Sequence, residues 1–137
     1  MARILAIDLG TKRTGLAVTD PLRILANPLD TIHTAKLQEF LKEYFNKEEV
    51  DTIVIGFPKK MDGQPTQMTK PVLDLQKNLG KKFPGKEIKL VDERFTSKMA
   101  MQSMIAMGSK KKDRREKTGN LDKISATIIL QTYLNQL

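Results

Sequence analysis

Acidic residues fall at three sites where an α/β chain places its chemistry. Asp8 closes the apolar run Ile4-Leu5-Ala6-Ile7, Asp92 and Glu93 close the run 87–91, and Asp122 stands at the head of the last amphipathic segment. Ligands of open α/β sheets gather beyond the carboxyl ends of strands. An acid at the end of so apolar a strand costs free energy unless it is paired, solvated or holding a cation. Carboxylates brought to one point repel each other, and a divalent cation resolves that repulsion. Two such ions roughly 4 Å apart can clamp both the attacking and the leaving oxygen of a phosphodiester. Plainer roles stand beside this one: Asp8 as a turn former before Gly10, and Asp122 as a helix cap. By the two-residue period of a strand, Ile4, Ala6 and Asp8 share a face, while Asp92 and Glu93 point to opposite faces. One of those two therefore belongs to any common site.

Composition narrows the chemistry. The 137 residues contain no cysteine and one histidine, His33. A disulfide framework, a thiolate zinc site, a cysteine nucleophile and a histidine-rich metal site are all excluded. Any metal must be held by oxygen, which favours the hard ions Mg²⁺, Mn²⁺ or Ca²⁺. The net charge of +8 favours a polyanionic partner such as nucleic acid over a neutral one. The excess is concentrated in the run 110–117, where Lys110, Lys111, Lys112, Arg114, Arg115 and Lys117 outnumber Asp113 and Glu116. Lys12 and Arg13 lie in the glycine-flanked loop Gly10-Thr11-Lys12-Arg13-Thr14-Gly15, which can cradle a phosphate or serve as a plain hairpin turn. The loop Gly56-Phe57-Pro58-Lys59-Lys60-Met61-Asp62-Gly63 has the same two readings, and Asp62-Gly63 is an ordinary turn pair. Arg94 is placed to contact phosphate or to pair with Asp92.

These residues need a scaffold, and the apolar spacing supplies one. Runs at 3–9 and 14–19 read as strands joined by a short hairpin loop, with a third strand around 26–34 that Asn27-Pro28 interrupts or assigns to an edge. Apolar positions 37, 40, 41, 44 and 45 mark an amphipathic helix over 36–46. The fully apolar run 52–57 suits a central parallel strand covered on both faces. A helix over 69–82, a strand over 87–91, a methionine-bearing helix over 96–107 and a last helix over 121–134 complete the order. Alternation of strand and helix after a three-strand start predicts an α/β fold with a mixed sheet and helices on both faces. The expectation is one domain over 1–137, cytoplasmic, with no signal peptide and no membrane segment.

The motifs also carry a resemblance. Ile7-Asp8-Leu9-Gly10-Thr11-Lys12-Arg13-Thr14-Gly15-Leu16-Ala17-Val18 resembles the opening motif of the bacterial YqgF (RuvX) family. The loop 56–63, the segment Asp92-Glu93-Arg94-Phe95-Thr96-Ser97 and the final helix from Asp122 to Gln131 are similar to its later motifs, in the same order. The resemblance implies a ribonuclease H-like fold with a five-stranded mixed sheet. It further implies a nuclease that processes the 5′ end of precursor 16S ribosomal RNA, or resolves Holliday junctions in branched DNA. Carried over to this chain, the catalytic and metal-holding set is Asp8, Glu93 and Asp122, with Mg²⁺ or Mn²⁺. The fourth strand ends Gly56-Phe57-Pro58 without the acid that related nucleases place there, so the resemblance assigns that role to Glu93. Lys12, Arg13, Arg94, Lys110, Lys111, Lys112, Arg114 and Arg115 would hold the nucleic-acid backbone. A ribosomal particle is a further expected partner, and the chain is expected to be a monomer or a weak homodimer.

Two other classes fit part of the pattern. Asp8-x-Gly10-Thr11 with Gly15 also resembles the phosphate hairpin of actin-like ATPases, but that fold closes two such domains around its nucleotide and this chain holds one. A nucleic-acid-binding module without catalysis, acting in ribosome assembly or transcription, fits the charge and does not need the missing fourth-strand acid.

Overall fold

The computed structural model describes residues 2–58, 62–92 and 118–137, with the backbone alone over 118–123. Its strands are β1 (Arg3–Leu9), β2 (Arg13–Thr19), β3 (Ala26–His33), β4 (Val50–Phe57) and β5 (Glu87–Asp92). The described helices are α1 (Leu37–Lys47), α2 (Thr69–Lys82) and α3 (Thr118–Asn135), and a 3-10 turn over Thr34–Lys36 leads into α1. The expected helix over 96–107 lies outside the described residues.

One five-stranded mixed sheet runs in the order β3-β2-β1-β4-β5. β1 pairs antiparallel with β2 and parallel with β4, β2 pairs antiparallel with β3, and β4 pairs parallel with β5. The three strands at the start form a meander, and the parallel pairs follow from the crossovers through α1 and α2. β1 and β4 are apolar on both sides because both faces of the sheet are covered. Leu5, Ile7, Leu16, Val18, Ile53 and Ile55 face α1 and α2, meeting Leu37, Leu41, Val72, Leu75 and Leu79. Ile4, Ala6, Ala17, Val54 and Val91 face α3, meeting Ala126, Ile129 and Leu130. Ala6 and Ala17 are cross-strand partners, and their small side chains let α3 approach the sheet.

β3 extends to His33 as an edge strand, with Pro28 inside it. A register shift between Leu16 and Ala17 of β2 lies opposite this stretch. Proline has no N–H for a ladder, and an edge position with an irregular register tolerates that loss. α2 carries Pro71 in its first turn, where the missing N–H has no helical partner in any case. Its start is tied to β4: the Thr69 hydroxyl donates to the carbonyl of Pro58 at 3.1 Å and accepts from the Thr66 N–H at 2.8 Å.

Candidate active site at the carboxyl end of β1

The two-residue alternation of β1 continues from Ile4 and Ala6 to Asp8. Asp8 thus shares the α3 face of the sheet, half-buried, directly opposite Gly15 of β2. Two residues before Gly15, and so on the same face, β2 begins with the exposed Arg13. A carboxylate and a guanidinium thereby share one face at one end of the sheet, brought there by a hairpin of adjacent strands.

The hairpin itself is tightly specified. A Cβ at Gly10 would lie 2.2 Å from the carbonyl oxygen of Arg13, so the turn closes on a residue with no side chain. The Thr34 hydroxyl donates to the carbonyl of Gly10 at 2.7 Å. That uses its one proton, so at 2.9 Å the Thr14 hydroxyl is the donor to Thr34. The Thr34 backbone N–H donates to the carbonyl of Lys12 at 2.9 Å. Thr14 is fully buried, which places this chain of hydrogen bonds under the turn rather than on its surface. Above it, Gly10, Thr11, Lys12 and Arg13 line a shallow hollow of about 230 Å³. The loop is thus a built turn that presents Lys12 and Arg13 outward, both exposed.

The structure turns Asp92 away from Asp8. Asp92 lies in register with Phe57, as Leu90 does with Ile55, and Phe57 and Leu90 pack towards α1 and α2. Asp92 is exposed on that opposite face and does not share a face with Asp8. Glu93 and Arg94 lie outside the described residues, as do Lys110, Lys111, Lys112, Arg114 and Arg115. α3 begins at Thr118, three residues before the expected Leu121. Asp122 is therefore one turn inside the helix rather than at its head. A cap role is excluded for it, because a cap lies outside the helical backbone. Among the described residues, no group of three or more acids or histidines comes close enough to hold a metal ion. The second basic loop behaves as its turn pair predicts: Gly63 has a φ of 87° and the Gln64 N–H donates to the Asp62 carboxylate at 3.0 Å. His33 is exposed and is the cross-strand partner of Arg13. Thr34 was not legible as a site residue. A threonine between a strand and a helix carries no periodic signal, and its partners are 20 and 24 residues away.

The family model for RuvX, described as Holliday junction resolvase, matches residues 2–136. The chain belongs to the RuvX family. A relative from Christiangramia forsetii is 54% identical over 134 residues, covering 98% of each chain, and one from Flavobacterium johnsoniae is 50% identical over 135 residues, covering 98% of this chain and 97% of its own. Both are described as candidate pre-16S rRNA nucleases. Among solved structures, RuvC of T. thermophilus, determined in complex with Holliday junction substrate, superposes with a TM-score of 0.56 at 13% identity, covering 99% of this chain and 96% of that one. The RuvC likeness shows the ribonuclease H-like fold that the motifs led us to expect. The family is one of nucleases, and its model matches nearly the whole of this chain. No helix among the described residues is long and apolar enough to cross a membrane.

Proposed function

We propose that this RuvX-family chain is a divalent-metal-dependent endonuclease of the cytoplasm that trims the 5′ end of precursor 16S rRNA, with a ribosomal particle as its setting. The observation that carries the reading is the carboxyl end of β1. There a half-buried carboxylate, Asp8, shares a sheet face with Arg13, beside a clamped hairpin that displays two cations. The names of the relatives support the choice of RNA.

Asp8, Glu93 and Asp122 would hold Mg²⁺ or Mn²⁺. The donor chemistry fits such ions, since hard cations take oxygen ligands and the proposed set is all carboxylate. When bound, the metal supplies Lewis-acid stabilisation of charge on the phosphoryl oxygens. Asp92 faces away, so a strand that kept its alternation for one more residue would turn Glu93 to the α3 face. Asp122 lies four residues before Ala126, which packs on that face, a spacing that puts both positions on one side of a helix. Lys12 and Arg13 hold and orient the phosphate backbone, and Arg94 with Lys110, Lys111, Lys112, Arg114 and Arg115 would extend that grip.

The family's description as a Holliday junction resolvase favours a second substrate, branched DNA. The test is a cleavage panel with Mg²⁺ or Mn²⁺ over precursor 16S rRNA, unstructured single strands and four-way junctions, run beside Asp8→Asn. Metal-dependent cutting of the precursor, lost in Asp8→Asn, supports the proposal. Cutting of junctions alone supports the DNA reading. Salt-sensitive binding with no cutting at all supports a non-catalytic module and overturns both. Size measurement by light scattering decides between a monomer and a weak homodimer.

A further inference from the structure

Thr34 belongs to neither strand of the β1–β2 hairpin, yet it holds that hairpin at three points. Its hydroxyl donates to the Gly10 carbonyl, it accepts from Thr14, and its N–H donates to the Lys12 carbonyl. The last rung of the β2–β3 ladder pairs Arg13 with His33, the residue before Thr34. The hairpin and the junction between β3 and α1 are therefore one rigid unit. That junction carries a cation of its own, Lys36, two residues beyond Thr34. The Lys36 side chain is 70% exposed and lies 3.8 Å from Glu39, which is itself 66% exposed. An ion pair that open contributes little and yields readily to a stronger anion. Lys36 lines a shallow hollow together with Glu39 and Glu43 of α1, which bound the cationic contact on that side.

We infer that the β1–β2 hairpin and the β3–α1 junction form a single phosphate-backbone platform, with Lys36 as a further cationic contact and Thr34 as its positioning residue. The inference rests on the nucleic-acid reading above. The platform presents Lys12, Arg13 and Lys36 from backbone held by hydrogen bonds, so a bound strand loses little freedom of the protein. A polyanion whose charges repeat along a chain can meet cations on both tied segments at once, which a compact anion cannot. Each phosphate neutralised by a lysine or arginine releases counterions, and the salt dependence of binding counts those contacts.

The test uses the full chain and a short fluorescein-labelled single-stranded RNA of mixed sequence, with EDTA present so that cleavage plays no part. Anisotropy gives Kd across a KCl series. Lys36→Gln is expected to weaken binding several-fold at low salt and to flatten the slope of log Kobs against log [KCl] by about 0.7, the signature of one lost phosphate contact on a single strand. Lys47→Gln, at the far end of α1, is the control and should keep the original slope. Thr34→Val removes the hydroxyl at equal bulk and should flatten the slope by more than Lys36→Gln, because Lys12 and Arg13 are misplaced together; Thr34→Ser should restore it. Equal slopes for Lys36→Gln and Lys47→Gln would overturn the cationic contact. An unchanged slope in Thr34→Val would overturn the positioning role. Because the readout is binding without metal, a chain that binds this way but cuts nothing refutes the nuclease proposal while leaving the platform standing.

Discussion

The two ends of β1 are tied by different groups. At its amino end, cations and acids are spent on each other. Arg3 bonds Glu48 at 3.2 Å and the Thr19 carbonyl at 2.9 Å. Arg23, held at a φ of 60° that side chains rarely adopt, pairs with Asp51 and donates to the Ala2 carbonyl at 3.0 Å. Asp20 accepts from the N–H groups of Ile24 and Leu25, each at 2.9 Å, and so builds its own loop. At the carboxyl end the Thr14 and Thr34 hydroxyls and the backbone tie the turn, and Lys12 and Arg13 are exposed. An acid beside a strand end is structural where charges close the loop. At the carboxyl end hydroxyl and backbone hydrogen bonds close the loop as well, and the proposed function gives Asp8 a chemical role there.

That contrast can be broken most sharply at Asp8. Asp8→Asn should cut metal-dependent cleavage by at least about 100-fold while leaving the melting temperature within a few degrees and RNA binding intact. A variant that melts far lower but still cuts would make Asp8 a structural acid like those at the other end. Next in size is Gly10→Ala, whose added methyl must displace the Arg13 carbonyl. Overpacking of this kind costs about 1–3 kcal/mol, read by denaturant titration, and RNA affinity should fall with it. Unchanged stability would show that the turn opens freely and is not a built cradle.

Smaller effects belong to the amino end. Asp51→Asn removes a partly exposed ion pair with Arg23, worth about 0.2–1 kcal/mol. It should lower the melting temperature modestly and leave the cleavage rate of folded protein unchanged. Loss of cleavage at a temperature where the variant is folded would show that the two ends are coupled. The smallest effect is one of pH. The Leu25 N–H, helped by that of Ile24, holds the Asp20 carboxyl below its usual value against a rise from desolvation. Burial pushes Asp51 up, but hydrogen bonds from Arg23 and Thr52 and the charge of Arg23 outweigh it, and its value also lies below 3.8. A carboxyl depressed in the folded state stabilises above its unfolded value and loses that contribution as pH falls through the folded one. Stability should therefore be level through neutral pH and decline below about pH 4, less steeply in Asp51→Asn. An identical acid profile in that variant would remove Asp51 from the account.

Much of this was legible in local pattern. The runs that became β1 and β4 are apolar on both sides, the helix expected over 69–82 has those bounds, and Asp62-Gly63 makes its turn. The motifs placed the chain in its family, because they preserve residue type and order without reference to geometry. Other features needed the folded chain. Which of Asp92 and Glu93 leaves the common face is a matter of register, and pairing with Phe57 turned Asp92 away. The start of α3 at Thr118 depends on backbone hydrogen bonds, whereas an apolar stripe marks only where a helix meets the core.

The sequence by itself determined the oxygen-only donor chemistry, the basic surface, the alternation of elements and the carboxylate at the end of β1. Each of these is a property of residue type or of spacing within one element. Only the tertiary structure decided that Arg13 shares the face of Asp8, that Asp92 does not, and that Thr34 clamps the hairpin between them. Those are relations between segments far apart in the chain, and they exist only once the sheet has set its strand order and register.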